Sequence, residues 1–209
     1  MVERQLRRRG ISDEHVLRAM GTVPRERFVP ERERRRAYTD GALPIGHEQT
    51  ISQPWIVAAI TQALELSGYE LALEIGTGSG YSAAVLALLA REVVTVERVP
   101  ELARGARELL AELGVRNVEV IEGDGSAGLP GRGPFDAIAV HATAPESPHG
   151  LLEELAAAGR LVVPIATDGA DMLTVFHRAG EGAADPDAIT SRVIAPARFV
   201  PLIGSEGYP

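Results

Sequence analysis

The chain has no cysteine and no lysine, and it is poor in aromatic residues, with one Trp, four Tyr and four Phe among 209 residues. Without thiols there are no disulfides, no thiolate metal sites and no cysteine nucleophile. All 21 basic residues are arginine, which points to compositional bias rather than to a mechanism. No apolar run reaches the length of a membrane span, and the basic start from Val2 to Gly10 is not followed by an apolar segment. Neither a membrane anchor nor a signal peptide is therefore expected, and the reading is cytoplasmic. The five histidines, His15, His47, His141, His149 and His177, show no metal-ligand spacing, so no metal is expected.

The chain does have enough apolar residues, 45%, to bury the core of one ordinary domain. The net charge of −8 is unevenly spread, because residues 1–40 carry 11 of the arginines but only 7 of the 29 acids. Arg32, Arg34, Arg35 and Arg36 alternate with Glu31 and Glu33, which reads as a solvated face with internal ion pairs rather than a nucleic-acid patch.

The most informative stretch is Leu71-Ala72-Leu73-Glu74-Ile75-Gly76-Thr77-Gly78-Ser79-Gly80, followed by the helix-like run Ser82 to Leu89. An apolar strand, a glycine turn and a helix make a nucleotide-binding corner, where a Cβ would block a sharp turn and a close ligand. A dinucleotide fingerprint would need glycine or alanine where Tyr81 stands, so the pattern is Glu-x-Gly-x-Gly-x-Gly instead. Twenty-one positions after Gly76, the run Val93 to Val96 ends in Glu97, where a carboxylate at a strand tip can accept two ribose hydroxyls.

Around this corner the sequence predicts a polar helix over Arg4 to Arg9 stopped by Gly10, and a helix capped by Ser12. It predicts short helices broken at Pro24 and Pro30, a loop from Tyr38 to Gln49, and a helix from Trp55 to Leu66 for which Ser52 is the cap. After the corner come a helix from Glu101 to Leu113 and strands at 118–121, 135–140, 160–165, 172–177 and 189–199, with a short helix at 151–157. That regular alternation predicts an α/β, Rossmann-like fold of about seven mostly parallel strands flanked by helices, with an N-terminal helical segment. Asp124, between Gly123 and Gly125 at a strand's end, suits either a ligand or an Asx turn, and Ala179 to Asp187 reads as the most exposed loop.

Several segments together resemble the protein-L-isoaspartate O-methyltransferase family: Val23-Pro24-Arg25-Glu26-Arg27-Phe28-Val29-Pro30, Ala42-Leu43-Pro44-Ile45-Gly46, Gln49-Thr50-Ile51-Ser52-Gln53-Pro54, the glycine corner, Val96-Glu97-Arg98, Gly123-Asp124-Gly125 and Phe199-Val200-Pro201-Leu202. The resemblance spans nearly the whole chain. It implies an S-adenosylmethionine-dependent enzyme that methylates the free α-carboxylate of isoaspartyl residues in damaged proteins, after which the ester recloses to a succinimide. It further implies one domain over residues 1–209, with 1–53 as helical and substrate-loop segment and 54–209 as cofactor-binding core. Carried over residue by residue, it assigns cofactor contacts to Thr50, Ile51, Glu74, Gly76, Thr77, Gly78, Ser79, Gly80, Glu97, Arg98, Gly123, Asp124 and Gly125. It assigns substrate contacts to Ala42, Leu43, Pro44, Ile45, Gln49 and Ser52, with the Ser52 hydroxyl orienting the acceptor carboxylate. A monomer whose partners are isoaspartyl proteins and peptides, without nucleic acid or membrane, is expected.

Two positions depart from the family. Glu48 stands where many relatives have glycine and is expected to point outward, and His141 stands where a small or hydroxyl residue is usual and reads as a loop histidine. Two further readings stay open at this point: methylation of an unmodified aspartate in a dedicated peptide, and a non-catalytic RNA- or protein-binding module on the same fold. Methylation of an exocyclic base nitrogen is disfavoured, because His141-Ala142-Thr143-Ala144-Pro145 follows the fourth strand where that chemistry uses Asn/Asp-Pro-Pro-aromatic.

Overall fold

The computed structural model describes every residue except Glu181, Ala184, Pro186 and Asp187. At the N-terminus, one π-type turn, Val2–Leu6, and one 3-10 turn, Arg7–Arg9, are stopped by Gly10 in the left-handed conformation. Helix α1, Glu14–Thr22, is capped by Asp13 rather than Ser12; the carboxylate accepts from the amides of His15 (2.8 Å) and Val16 (3.2 Å). A carboxylate there serves both the orphan amides and the helix dipole, which a serine hydroxyl does less well. Two 3-10 turns, Arg25–Phe28 and Glu31–Arg36, follow the prolines, and the arginine cluster is solvated, with Glu33 pairing to Arg36 at 3.2 Å and to Arg32 at 3.8 Å.

The expected loop at 38–49 instead contains an antiparallel hairpin, β1 (Leu43–Gly46) and β2 (Gln49–Ile51). It turns through His47 and Glu48, both at positive φ (51° and 59°), the geometry that normally calls for Asn-Gly. A non-glycine residue held there costs about 1 kcal/mol or more. Glu48→Gly is therefore expected to raise stability by about 0.5–1 kcal/mol after the entropy that glycine adds to the unfolded chain, measurable by denaturant unfolding. Helix α2, Pro54–Ala63, begins from Gln53, not Ser52, and has no side-chain cap. Proline at the first helical position needs none for its own nitrogen.

Beyond α2 the chain runs β3 (Leu71–Ile75), α3 (Tyr81–Leu86), β4 (Glu92–Glu97), α4 (Pro100–Glu112), β5 (Val118–Glu122), β6 (Phe135–Val140), α5 (His149–Glu153), β7 (Leu155–Ile165), β8 (Asp171–Arg178) and β9 (Ile189–Ala197). These seven strands form one sheet in the order β5-β4-β3-β6-β7-β8-β9. The first five in that order are parallel, and β8 is antiparallel to both neighbours. The alternation ends after β7 because residues 166–170 are too few for a crossover helix, so the chain folds back as a hairpin. β3 and β6 are buried on both faces, with Leu73, Ala137, Ile138, Ala139 and Val140 all at 0% exposure, as central parallel strands require. The expected exposed loop 179–187 lies partly outside the described residues.

Sheet order reverses between β3 and β6, since β4 lies on one side of β3 and β6 on the other. Open α/β sheets bind ligands at such a point, off the carboxyl ends of the strands.

Candidate active site

Off the end of β3, Gly76, Gly78 and Gly80 all have positive φ (93°, 54° and 88°). An added side chain would crowd a neighbour at each of them, most closely at Gly78, where a Cβ would lie 3.2 Å from Ile45 Cδ1. A Cβ on Gly76 would lie 3.4 Å from the His141 Cβ, and one on Gly80 would lie 3.3 Å from the Ala106 Cβ of α4. Gly80 is therefore a packing residue that lets α4 close on the corner, whereas Gly76 and Gly78 form the wall of a cleft of about 800 Å³.

Beside the glycines the cleft is lined by Glu97, 5% exposed at the tip of β4. Its carboxylate accepts from the Gly78 amide at 2.8 Å and from the Val99 amide at 2.9 Å, so it clamps the glycine turn and still has lone pairs for a ligand. Ser79 Oγ is buried and has no hydrogen-bond partner among the described residues, and its residue lines the same cleft. Such a group needs a hydrogen bond from whatever occupies the cleft. Thr77 Oγ1 lies 2.6 Å from Thr95 Oγ1, which donates to Glu74 at 2.6 Å. Glu74 itself is fully buried behind the corner, and its other oxygen is 3.4 Å from His141 Nε2.

His141 has the loop position expected from sequence, directly after β6, and pairing of Ile75 with Val140 places it beside Gly76, with its side chain 7% exposed. Its Nε2 is also 2.8 Å from Ser82 Oγ. Serine and carboxylate thus meet the same ring nitrogen, whereas a nucleophile–base–acid relay needs both nitrogens. Acyl transfer by Ser82 is excluded on that geometry.

A second cleft, about 910 Å³, opens beside the first and is lined by Ala42, Thr50, Ser52, Gln53, His141 and Arg198 among others. Thr50, Ser52, His141 and Val200 line both clefts. The Ser52 hydroxyl makes no hydrogen bond among the described residues, since the helix it was expected to cap starts without it. The backbone of Ser52 is held from below. Arg25, fully buried, donates from Nη2 to the Ser52 carbonyl (2.7 Å) and from Nε to the Ala37 carbonyl (2.7 Å), with its guanidinium 4.7 Å from the Tyr81 ring centre. Burial lowers the Arg25 pKa, against the pull of Tyr81, and burial pushes the Tyr81 hydroxyl up to about 12.

Of the residues proposed from sequence, the first cleft gathers Gln49, Thr50, Ile51, Ser52, Gly76, Thr77, Gly78, Ser79, Glu97, Arg98, Gly123 and Gly125. Glu74 and Gly80 sit behind its wall. Asp124 does not line it: the carboxylate accepts from the amides of Ser126 (2.8 Å) and Ser205 (2.7 Å), the Asx-turn role, which ties down the C-terminal segment. Burial raises its pKa, but these hydrogen bonds outweigh that and leave it lowered. Among the expected substrate residues, Ala42 lines the second cleft, while Leu43 is in the core, Pro44 is exposed on the hairpin, and Ile45 packs against Gly78. Glu48 is exposed and outside both clefts. Sequence reasoning missed Arg25, and it missed Pro201 to Ile203, which close the first cleft from the C-terminal side; His141, expected as a satisfied loop histidine near the cofactor edge, directly follows β6, lines the cleft and meets Ser82.

A parallel sheet with a glycine corner, a strand-tip carboxylate and a second cleft opening into the first defines the class of α/β methyltransferases. Within that class, residues 1–207 match the family model for protein-L-isoaspartate(D-aspartate) O-methyltransferase, and the chain belongs to that family. It is 52% identical over 209 residues to protein-L-isoaspartate O-methyltransferase 1 of Rhodopseudomonas palustris, covering all of this chain and 83% of that one. It is also 52% identical to protein-L-isoaspartate O-methyltransferase 2 of Pelobacter propionicus, covering 100% and 91%. Among solved structures, a Plasmodium falciparum protein-L-isoaspartate O-methyltransferase in complex with S-adenosyl-L-homocysteine superposes with a TM-score of 0.79 at 27% identity, covering 94% of each chain.

Proposed function

We propose that the two joined clefts transfer a methyl group from S-adenosylmethionine, held at the glycine corner, to the free α-carboxylate of an L-isoaspartyl residue entering beside Ser52. The resulting ester recloses to a succinimide, and hydrolysis returns part of the damaged chain to normal aspartate. The observation that carries this reading is the shared wall: Thr50, Ser52 and His141 face both clefts, so a donor in one and an acceptor in the other meet there. Family membership favours it over a dedicated-peptide substrate and over a non-catalytic module.

The residues present fit the cofactor. Glu97 would take the ribose hydroxyls, the orphaned Ser79 Oγ would gain its partner, and Gly76 and Gly78 line the cleft with backbone alone. When bound, S-adenosylmethionine supplies a methyl group on a sulfonium, so that a C–O bond forms as the S–CH₃ bond breaks and neutral S-adenosylhomocysteine leaves. The protein's part is alignment and exclusion of water. A free α-carboxyl ordinarily titrates at about pH 3.3–3.7, so near pH 7 the acceptor is already ionised and no general base is needed. Ser52 Oγ then acts by donating a hydrogen bond that fixes the acceptor oxygen. Ser52→Ala is expected to lower the single-turnover rate about 10- to 150-fold, the loss of one bond to a charged group, without abolishing activity.

The domain reading accompanies this: one catalytic unit, in which 54–209 hold the cofactor and the first 53 residues supply the substrate face. We read the protein as a cytoplasmic monomer that takes isoaspartyl proteins and peptides; the net charge of −8 disfavours nucleic acid as a partner. Among the described residues no helix is long and apolar enough to cross a membrane. The deciding experiment compares methanol release from an isoaspartyl peptide and from its aspartyl twin. Release from the isoaspartyl form alone is the expected result, and equal release from both would overturn the reading.

A further inference from the structure

Arg198 lines the acceptor cleft but not the donor cleft. It is exposed, and it makes no ion pair or hydrogen bond among the described residues, in a protein whose net charge is −8. The backbone that carries it is nonetheless held in place. The next residue, Phe199, donates its amide to Asp171 Oδ2 at 3.1 Å, and the Val200 carbonyl accepts from the Thr143 amide at 2.8 Å. Asp171 Oδ2 accepts from Phe199 and from the Thr143 hydroxyl (2.8 Å), and Asp171 forms no ion pair with Arg198 among the described residues. No carboxylate lines the acceptor cleft among the described residues.

An unpaired guanidinium carried on a held backbone, in a cleft that admits anions, is suited to receive a carboxylate. The question is which carboxylate. The reacting one must lie at the wall shared with the donor cleft, beside Thr50 and Ser52, which Arg198 does not reach into. Charge bookkeeping agrees. Methyl transfer to a carboxylate from a sulfonium discharges both groups, so a strong cation on the reacting oxygen would stabilise the ground state more than the transition state and slow the step.

From these observations, we propose that Arg198 is a specificity-determining residue that selects isoaspartyl substrates carrying a second carboxylate, on an acidic residue next to the isoaspartyl one. This rests on the function proposed above and deepens it. It makes the acceptor cleft a reader of sequence context as well as of the isoaspartyl linkage. Since the pair forms at an exposed site, its effect falls on KM and is salt-dependent.

The test uses isoaspartyl hexapeptides that differ only in having Glu, Gln or Lys at the residue before or after the isoaspartate. For the wild type at low ionic strength, a Glu neighbour on one side is expected to lower KM about three- to tenfold relative to Gln, with kcat unchanged and the gap closing in about 0.5 M salt. Arg198→Gln should make the Glu and Gln peptides equivalent, and Arg198→Glu should reverse the order in favour of Lys. The same ratios read as affinities of fluorescein-labelled peptides in the presence of S-adenosylhomocysteine separate the two readings. If no isoaspartyl peptide is turned over, the proposed function fails, while the affinity ratios still decide the role of Arg198. A Glu/Gln ratio unchanged in both variants would overturn the proposal. So would a change in kcat shared by all peptides, which would place Arg198 on the reacting carboxylate.

Discussion

Arg25→Ala is expected to destabilise the protein by about 3–5 kcal/mol and to lower kcat/KM by about 100-fold or more in whatever fraction remains folded. The guanidinium is fully buried and forms no ion pair among the described residues, and its charge is met by two carbonyls and an aromatic face. Each hydrogen bond from a charged donor contributes about 1.5–3 kcal/mol, and a desolvated cation over an aromatic ring about 2 kcal/mol. Against these stands the desolvation that lowers its pKa, so the net contribution is smaller than the sum. Truncation to alanine adds a cavity.

The effect on activity has a separate origin. Arg25 ties the Ser52 carbonyl to that of Ala37, and so fixes the segment that lines both clefts; a misplacement of about 1 Å there is enough for a loss of about 100-fold. Arg25→Met fills much of the volume without the hydrogen bonds and separates the two effects. Its stability by denaturant unfolding should recover part of the loss, whereas kcat/KM should not. A folded Arg25→Met variant with wild-type kcat/KM would show that Ser52 needs no such support.

Two things the sequence does not show, the burial of Arg25 and the partners of His141, share a cause. Nothing within a few residues of Arg25 distinguishes it from Arg27, which reaches Glu112 at the surface; only the long-range packing of Tyr81 over it shows that one is buried and the other is not. His141 follows a strand, where a loop histidine is the ordinary expectation, and it joins the site through the register of β6 against β3, 65 positions away in the chain. The glycine corner was legible because its signals are local: an apolar run, glycines at fixed spacing and a strand-tip acid. The hairpin at 43–51 was hidden for the opposite reason, since His47-Glu48 occupies a turn whose usual residues are Asn-Gly. Ser52 looked like a cap because serine two residues before proline fits that pattern. The extended Gln53 (ψ 149°) takes the position instead, and the Ser52 hydroxyl is left available. Asp124 suited an Asx turn and a ligand contact equally, because a carboxylate between glycines serves either, and the amides of Ser126 and Ser205 decide between them.

Glu97→Ala is expected to weaken S-adenosylmethionine binding by about 1.5–3 kcal/mol, or about 10- to 150-fold in Kd. The carboxylate does two things. It accepts from the Gly78 and Val99 amides, holding the glycine turn against the tip of β4, and it keeps lone pairs facing the cleft. Losing the first role leaves two amides to find water at a 5% exposed position, which loosens the corner before any ligand arrives. Losing the second would remove the hydrogen bonds proposed above for the ribose. Glu97→Gln keeps the shape and one strong acceptor, so it should fall between alanine and wild type. S-adenosylhomocysteine separates ribose recognition from attraction of the carboxylate to the sulfonium, because it has the same ribose and no positive sulfur. If Glu97 works on the ribose, calorimetry should show both ligands weakened by the same factor in the alanine variant. A loss confined to S-adenosylmethionine would assign the carboxylate to the sulfonium instead, and unchanged affinity for both in a folded variant would remove Glu97 from the site.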